Sequence, residues 1–86
     1  MDIVVYGPLR SATGSKRVAV DVDGSTVEDA LGAFVEAYPR GAAHLYADDG
    51  TVRPSVRVTV DGERVELSDP CPADGELALF PAMQGG

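Results

Sequence analysis

The strongest constraint on the fold is one amphipathic helix pattern in the middle of the chain. A capping box predicts its start, with Ser25 and Glu28 as one candidate pair. Thr26 and Asp29 fit the same pattern nearly as well. Pro39 disfavours helical geometry in the residue before it, so we expect the helix to end there. The residues at helical spacing form an apolar stripe that another layer of the fold must cover: Val27, Ala30, Leu31, Phe34, Val35 and Tyr38.

Two β-strand patterns precede this helix. Residues 2–6 are rich in residues that favour strands, and residues 16–22 alternate between apolar and polar side chains. Residues 7–15 lie between them and contain two glycines and one proline. This composition predicts a connecting loop rather than a helix. We therefore expect the chain to open with a hairpin that has a wide turn.

Three strand patterns follow the helix. Residues 41–53 separate the helix from these strands and predict a loop with at most a short helical turn. Residues 56–60 alternate as a strand, Asp61-Gly62 marks a hairpin turn, and residues 65–67 predict a short return strand. Residues 76–80 form the last strand pattern. The predicted order along the chain is therefore ββαβββ, an α+β arrangement with one main helix.

The residues after the last strand pattern have the features of a tail. Pro81 cannot donate a hydrogen bond to a strand ladder, and residues 82–86 have no predicted element to pack against. A chain of 86 residues is long enough for one hydrophobic core but not for two. We therefore expect one domain at residues 1–81 and a flexible tail at residues 82–86 that ends in Gly-Gly.

The charge and hydropathy of the chain argue against several classes of partner. The chain has 14 acidic and 7 basic residues, a net charge of −7, and its arginines are scattered among carboxylates. A nucleic-acid backbone is therefore a poor ligand. No apolar run approaches the roughly 20 residues that span a bilayer, and the first residues lack the pattern of a secretory signal. We expect a cytoplasmic protein, whose acidity fits either a halophilic cytosol or biased composition.

Four features that carry chemistry in other proteins are better explained here as ordinary structure. Cys71 is the single cysteine and has no basic neighbour in sequence, which predicts an unreactive loop thiol. His44 has no second ligand or paired nucleophile, and Lys16 is a solvated charge. Asp48-Asp49-Gly50 lacks the spacing of a calcium loop and predicts a turn. We therefore expect no catalytic residue, no metal site and no bound cofactor.

The end of the chain resembles a known family. Residues 74–81, followed by Gly85 and Gly86, look like the final strand and activated tail of the β-grasp sulfur carriers. These include the small subunit of molybdopterin synthase, the thiamin sulfur carrier and the small archaeal ubiquitin-like modifiers. The resemblance implies a ubiquitin-like β-grasp fold with a mixed sheet. Two further stretches support it: Leu9-Arg10 with Gly14 after the first strand, and residues 26–31 at the helix start.

The resemblance implies that the working group is the C-terminal carboxylate of Gly86. A free carboxylate is a poor acyl donor, so an E1-like adenylating enzyme would first activate it with ATP. Gly85 and Gly86 have no Cβ, which permits close approach to the nucleotide. The adenylate would then become a thiocarboxylate, for molybdopterin synthesis or tRNA thiolation, or an isopeptide bond to a target lysine.

The implied partners are therefore proteins. They are the adenylating enzyme, the large subunit of molybdopterin synthase or another sulfur-transfer enzyme, and target proteins that offer lysines. The chain itself would be a carrier or modifier rather than an enzyme, because it has no paired catalytic groups and no cofactor fingerprint. A β-grasp binding module without tail chemistry is the alternative.

The period of two along the first and last strands predicts an apolar patch beside the tail. Successive side chains of a strand point to opposite faces of the sheet. If the residues that alternate with Val4, Tyr6, Ala78 and Phe80 face the helix, these four face away from it. In the family that the chain resembles these strands are neighbours, so the four side chains would form one interaction surface. The alternative is that Tyr6 or Phe80 covers an edge of the core.

Three further residues are expected to contact partners. The resemblance places Arg10 close to the surface of the activating enzyme, where it could pair with acidic groups. Pro81 stands where the tail begins. Relatives carry an apolar residue near Val65 in the same patch, although a strict two-residue turn at Asp61-Gly62 would face Val65 towards the core.

Overall fold

The computed structural model describes residues 1–81 of the chain. Five strands form one sheet: β1 (Asp2–Val5), β2 (Arg17–Ala19), β3 (Arg57–Val60), β4 (Glu63–Arg64) and β5 (Glu76–Phe80). The helices are α1 (Pro8–Thr13), α2 (Val27–Ala37) and α3 (Ala42–Leu45), with a 3-10 turn at Pro39–Gly41. The main helix α2 follows two strands and precedes three, as predicted. Within residues 1–81 no helix is both long and apolar enough to cross a membrane.

The sheet is mixed, and its centre is the parallel pair of β1 and β5. The strand order is β2-β1-β5-β3-β4, and the other neighbouring strands are antiparallel. Ile3 pairs with Leu77 and Val5 pairs with Leu79, and all four side chains are fully buried. Because β1 and β5 are parallel, their last residues lie at the same end of the sheet. Pro81 therefore leaves β5 beside the end of β1.

The long helix α2 begins and ends where its boundary residues predict. The Thr26 hydroxyl accepts a hydrogen bond from the Asp29 N–H, and the Asp29 carboxylate accepts one from the Thr26 N–H, both at 3.2 Å. The structure thus uses Thr26 with Asp29 and not the other candidate pair, Ser25 with Glu28. Tyr38 caps the C-terminal end. The buried stripe is Val27, Ala30, Leu31 and Phe34, with Val35 and Tyr38 half-buried.

One hydrophobic core lies between α2 and the sheet. Phe34 is its largest fully buried side chain, and the short helices α1 and α3 each contribute one buried leucine, Leu9 and Leu45. Gly41 lies directly against the ring of Phe34, since a Cβ at this position would stand 2.9 Å from a ring carbon. A side chain at this position would therefore require the buried Phe34 ring to shift from its place in the core.

The prediction of a loop at residues 7–15 is wrong, because α1 lies there. Pro8 occupies the first helical turn, where its missing N–H is not needed, and Gly14 ends the helix in the left-handed conformation with φ of 80°. The proline and the second glycine thus mark helix boundaries. Leu9 is fully buried, which anchors α1 on the core.

Two strands differ from their predicted ranges by more than one residue. β2 covers three residues of the predicted range 16–22, although the Val20 N–H and carbonyl still bond to Met1 beyond its end. β4 lies before the predicted range 65–67, directly after the hairpin turn. The turn itself is confirmed at Asp61-Gly62, where φ is 51° and 86°.

The chain leaves the sheet after β4 because its backbone bonds to the start of α2. The Leu67 and Asp69 carbonyls accept hydrogen bonds from the second and first N–H groups of α2, at 2.9 and 3.0 Å. The first N–H groups of a helix have no partner within the helix. Residues 67–69 satisfy two of them, and so cannot continue a ladder with β3. This competition involves residues far apart in sequence, and strand periodicity does not reveal it.

We expect Thr26→Ala to lower the free energy of unfolding by about 1 kcal/mol, because an N-cap hydrogen bond is lost. Ser25→Ala is the matched control and should have a much smaller effect, since Ser25 is not the capping residue of α2. Chemical denaturation of the wild type and both variants at neutral pH measures the difference. Equal losses in the two variants would contradict the assigned capping box.

The capping box also predicts a pH dependence of stability. The Thr26 hydroxyl, followed by the Thr26 and Ser25 N–H groups, holds the pKa of Asp29 below its usual value. Such a carboxylate stabilises the fold above its unfolded-state pKa of about 3.9, and this contribution is lost as the pH falls through the lower, folded-state pKa. An NMR titration of the Asp29 carboxyl should therefore give a higher pKa in Thr26→Ala than in the wild type. The same pKa in both proteins would show that Thr26 does not cause the shift.

Candidate functional site

Two aromatic side chains stack at the end of the sheet where β5 ends. The ring centroids of Tyr6 and Phe80 are 4.5 Å apart, and the interplanar angle is 8°. Phe80 is the last residue of β5 and Tyr6 directly follows β1, so the parallel pairing brings both to the same end of the sheet. Tyr6 is 36% exposed and Phe80 is half-buried. These two residues, the aromatic pair, present an apolar surface beside the start of the tail.

The predicted four-residue patch is reduced to this aromatic pair. Val4 and Ala78 pair with each other across β1 and β5 and lie on the sheet face opposite α2, as predicted. Their exposed fractions are only 4% and 9%. They therefore offer little surface to a partner, and the prediction that they form part of an exposed patch is wrong.

The same sheet face is charged at its other end. The Arg17 guanidinium lies 2.6 Å from the Glu76 carboxylate and 3.7 Å from that of Asp2. Asp2 and Glu76 are the first residues of β1 and β5, so this exposed cluster stands at the opposite end of these strands from the aromatic pair. Exposed ion pairs contribute little to stability. Their main effect is to confine the apolar surface to the end where the tail begins.

Two of the other predicted contact residues are close in sequence to the aromatic pair: Arg10 comes soon after Tyr6, and Pro81 directly after Phe80. Arg10 is exposed on α1, which begins two residues after Tyr6, and Pro81 is buried directly after Phe80. Val65 does not join them, because it packs half-buried against the hydrophobic core. This is the inward orientation that the two-residue turn favours, and a contact of Val65 with a partner stays a prediction.

The predicted reactive end of the chain lies outside the described residues. The structural description ends at Pro81, and Gly85 and Gly86 fall in residues 82–86. The flexibility of this segment and the activation of Gly86 therefore stay predictions. The described structure fixes the point from which the tail departs and the surface beside that point.

Cys71 and the acidic turn have structural roles. Cys71 is buried with its Sγ atom 3.5 Å from the Met1 Sδ atom. Burial raises the pKa of this thiol, with a smaller effect from the Asp61 carboxylate, so the unreactive neutral form is favoured. The Asp49 carboxylate accepts hydrogen bonds from the Thr51 hydroxyl and N–H at 2.7 and 3.1 Å, which is the predicted turn. Among residues 1–81, no three His, Cys, Asp or Glu side chains group as metal ligands.

Comparison with known proteins identifies the family. Residues 3–86 match the ThiS family. The chain belongs to the ThiS family. Small archaeal modifier protein 1 of Haloferax volcanii is 40% identical to it over 87 residues, which cover the full length of both chains. This membership places the chain among small ubiquitin-like modifier and carrier proteins rather than among catalytic enzymes.

Solved structures confirm the fold expected for a ThiS family protein. The crystal structure of the Haloferax volcanii protein matches with a TM-score of 0.90 and covers 100% of this chain and 98% of that one. A chain of the Amycolatopsis orientalis BexX/CysO complex matches with a TM-score of 0.78 at 23% identity, covering 99% and 98% of the two chains. At that identity the second likeness shows the fold alone. Together they confirm the predicted α+β, ubiquitin-like β-grasp class.

The sequence held signals for features of this ThiS family protein that the predictions missed. Pro8 and Gly14 are spaced as a helix start and a helix end, which favours α1 over a loop. Ile3-Val4-Val5 and Leu77-Ala78-Leu79 are continuous apolar runs rather than alternating ones. Such runs are typical of central strands that are buried on both faces. They account for the burial of Val4 and Ala78.

We expect the Tyr6 and Phe80 rings to stabilise each other by about 0.5–1.5 kcal/mol, as stacked aromatic pairs do. The variants Tyr6→Ala, Phe80→Ala and the double variant form a double-mutant cycle, with unfolding free energies measured by chemical denaturation. Tyr6→Ala combined with Tyr38→Ala is the control, because Tyr38 contacts Phe34 instead. Strict additivity in the first cycle would contradict the stacked arrangement.

Proposed function

We propose that this chain is a ubiquitin-like carrier whose C-terminal carboxylate, on Gly86, is activated by an E1-like adenylating enzyme. The observation that carries the proposal is the ThiS family match, which extends to residue 86 and so includes both terminal glycines. The 40% identical relative is a small modifier protein by name. This supports a role in which the chain is transferred or attached rather than one in which it catalyses.

The proposed activation uses ATP held by the partner enzyme, so this chain needs no cofactor of its own. The Gly86 carboxylate attacks the α-phosphate of ATP, pyrophosphate leaves, and an acyl adenylate forms. A nucleophile then attacks the acyl carbon and AMP leaves with the bonding electrons. A sulfur nucleophile yields a thiocarboxylate. A lysine amine of a target protein, which gives up a proton, yields an isopeptide bond, either directly or through a thioester.

The geometry of the described residues supports this role for the tail. Five residues after Pro81 reach at most about 17 Å, at roughly 3.4 Å each. A partner that covers the aromatic pair would therefore find the carboxylate within that distance of Pro81. Tyr6 and Phe80 are residue types that anchor interfaces, and the exposed Arg10 is available for carboxylates of the enzyme.

The acceptor of the activated chain has two candidates. The name of the 40% identical relative favours protein modification at lysines. The ThiS family match and the resemblance to the molybdopterin synthase small subunit favour sulfur transfer, with the large subunit of that enzyme or another sulfur-transfer enzyme as partner. A chain of this fold has been crystallised in the BexX/CysO complex. Intact-mass measurement of the chain from its native cells, with a search for lysines that carry its C-terminal remnant, separates the two fates.

We expect removal of Gly85 and Gly86 to abolish ATP-dependent pyrophosphate exchange by the cognate adenylating enzyme, because the carboxylate then stops short of the nucleotide. One residue added after Gly86 should be equally damaging, since a misplacement of about 1 Å can cost roughly a hundredfold in rate. Gln84→Ala is the matched control, which changes the tail but keeps the two glycines. Circular dichroism should show the same fold in all variants.

Full exchange activity of the folded, truncated protein would contradict both the carrier and the modifier hypotheses. The chain would then be a β-grasp binding module without tail chemistry, which is the alternative that the sequence left open. Loss of activity in Gln84→Ala as well would show that the whole tail is read by the enzyme rather than its terminal glycines.

A further inference from the structure

A hollow of about 200 Å³ opens at the β4 edge of the sheet. It lies between the start of β3 and residues 65–67, where the chain diverges from β3 after β4. Arg53, Arg57 and Arg64 line it, and Glu66 is the single carboxylate in its described lining. Three arginines against one glutamate leave two positive charges at this place, in a chain whose net charge is −7.

A second hollow, at the opposite side of the sheet, carries the reverse charge. A larger hollow of about 820 Å³ lies between β2 and α2, and none of the described residues that line it is basic. β2 and β4 are the two edge strands, so the acidic hollow and the basic hollow lie at opposite sides of the sheet. Such polarity orients an approaching charged partner. The carboxylates that line the acidic hollow are Asp21, Asp23, Glu28, Asp29 and Glu36.

Arg53 is held in place by two hydrogen bonds to the segment around α3. Its backbone N–H donates to the Leu45 carbonyl at 2.8 Å, and its Nε–H donates to the Ala43 carbonyl at 3.2 Å. A guanidinium has five N–H donors, so the four on its terminal nitrogens stay available for a ligand. A fixed guanidinium loses less conformational entropy when it binds an anion.

Arg57 and Arg64 are fixed at their backbones by the strands. Arg57 pairs with Phe80 and Arg64 pairs with Thr59 in the ladder. The ion pairs found among residues 1–81 belong to Arg17 and involve neither of them. Because cross-strand partners share a sheet face, Arg57 also stands next to the aromatic pair.

Part of the lining of the hollow is apolar. Val56, Val65 and Leu67 line it, and all three are half-buried against the hydrophobic core. A ligand that matches both features carries carboxylates together with an aliphatic side chain. This description fits an acidic segment of a protein better than a small inorganic anion, which would leave the apolar lining uncovered.

We infer that this hollow docks an acidic segment of the activating enzyme, with carboxylates on Arg53, Arg57 and Arg64 and an aliphatic side chain against Val56 and Val65. The identity of the partner rests on the proposed function; the ligand chemistry does not. Arg57 connects the hollow to the aromatic pair, so one partner can cover both. The acidic hollow between β2 and α2 repels the same segment, which favours docking at the β4 side of the sheet.

The first test uses a synthetic peptide, acetyl-Asp-Glu-Leu-Glu-Asp-amide, titrated into the full chain and followed by NMR. We expect shifts at the amides of Arg57 and Val65 and at the arginine Nε–H groups. The double variant Arg57→Gln/Arg64→Gln should bind about tenfold more weakly or worse, because charge-assisted hydrogen bonds are lost. The control variant Lys16→Gln/Arg40→Gln removes the same charge elsewhere and should bind like the wild type.

Three outcomes would overturn the site: no binding of the acidic peptide, equal binding of a matched peptide with lysines in place of its acidic residues, or equal weakening by the control variant. The last result would mean that net charge, and not the hollow, attracts the peptide.

The second test measures pyrophosphate exchange by the adenylating enzyme. We expect Arg57→Gln/Arg64→Gln to raise the KM for the chain about tenfold with kcat unchanged, because docking is lost while the tail chemistry stays intact. An unchanged KM would overturn the enzyme as the occupant of the hollow. If the wild-type chain supports no exchange at all, the proposed function fails and so does this partner, whereas the peptide titration still decides whether the hollow binds acidic segments.

Discussion

The parallel pairing of β1 with β5 is the interaction on which the rest of this molecule depends. It joins the first and last strands at the centre of the sheet and buries Ile3, Val5, Leu77 and Leu79 under α2. Only parallel neighbouring strands finish at the same end of the sheet, so this pairing also brings Tyr6 to Phe80. The surface proposed for partner contact is therefore a by-product of the core. A change that weakened the central pairing would remove the fold and the site together.

A second long-range link joins the sheet connection to the helix. Residues 67–69 give their carbonyls to the first N–H groups of α2, and the same departure from β3 opens the hollow lined by Arg57 and Arg64. The helix start thus shapes the far edge of the sheet. The separation of the acidic hollow from the basic hollow follows from the strand order, because it places β2 and β4 at opposite sides. Neither feature belongs to one segment of the sequence.

Elements with several agreeing local signals could be predicted to within a residue or two. The helix α2 has a cap, a period and a following proline, and the last strand was predicted at its observed bounds of Glu76–Phe80. The placement of Tyr6 beside Phe80 followed from the period of two once the two strands were taken as neighbours. The displaced β4 and the burial of Val4 depend on partners distant in sequence, and the hollow depends on where two segments diverge. Local periodicity carries no information about such partners.

The parallel arrangement also determines how the domain bears mechanical load. Met1 stands at the start of β1 and Pro81 follows the end of β5, so a pull on these two points draws the two strands in opposite directions along their length. The ladder bonds between them are evenly spaced along the pair, and all of them resist this sliding at the same time. Peeling an edge strand such as β4 breaks its bonds one after another. The domain therefore resists a pull between Met1 and Pro81 more strongly than it resists the peeling of an edge strand.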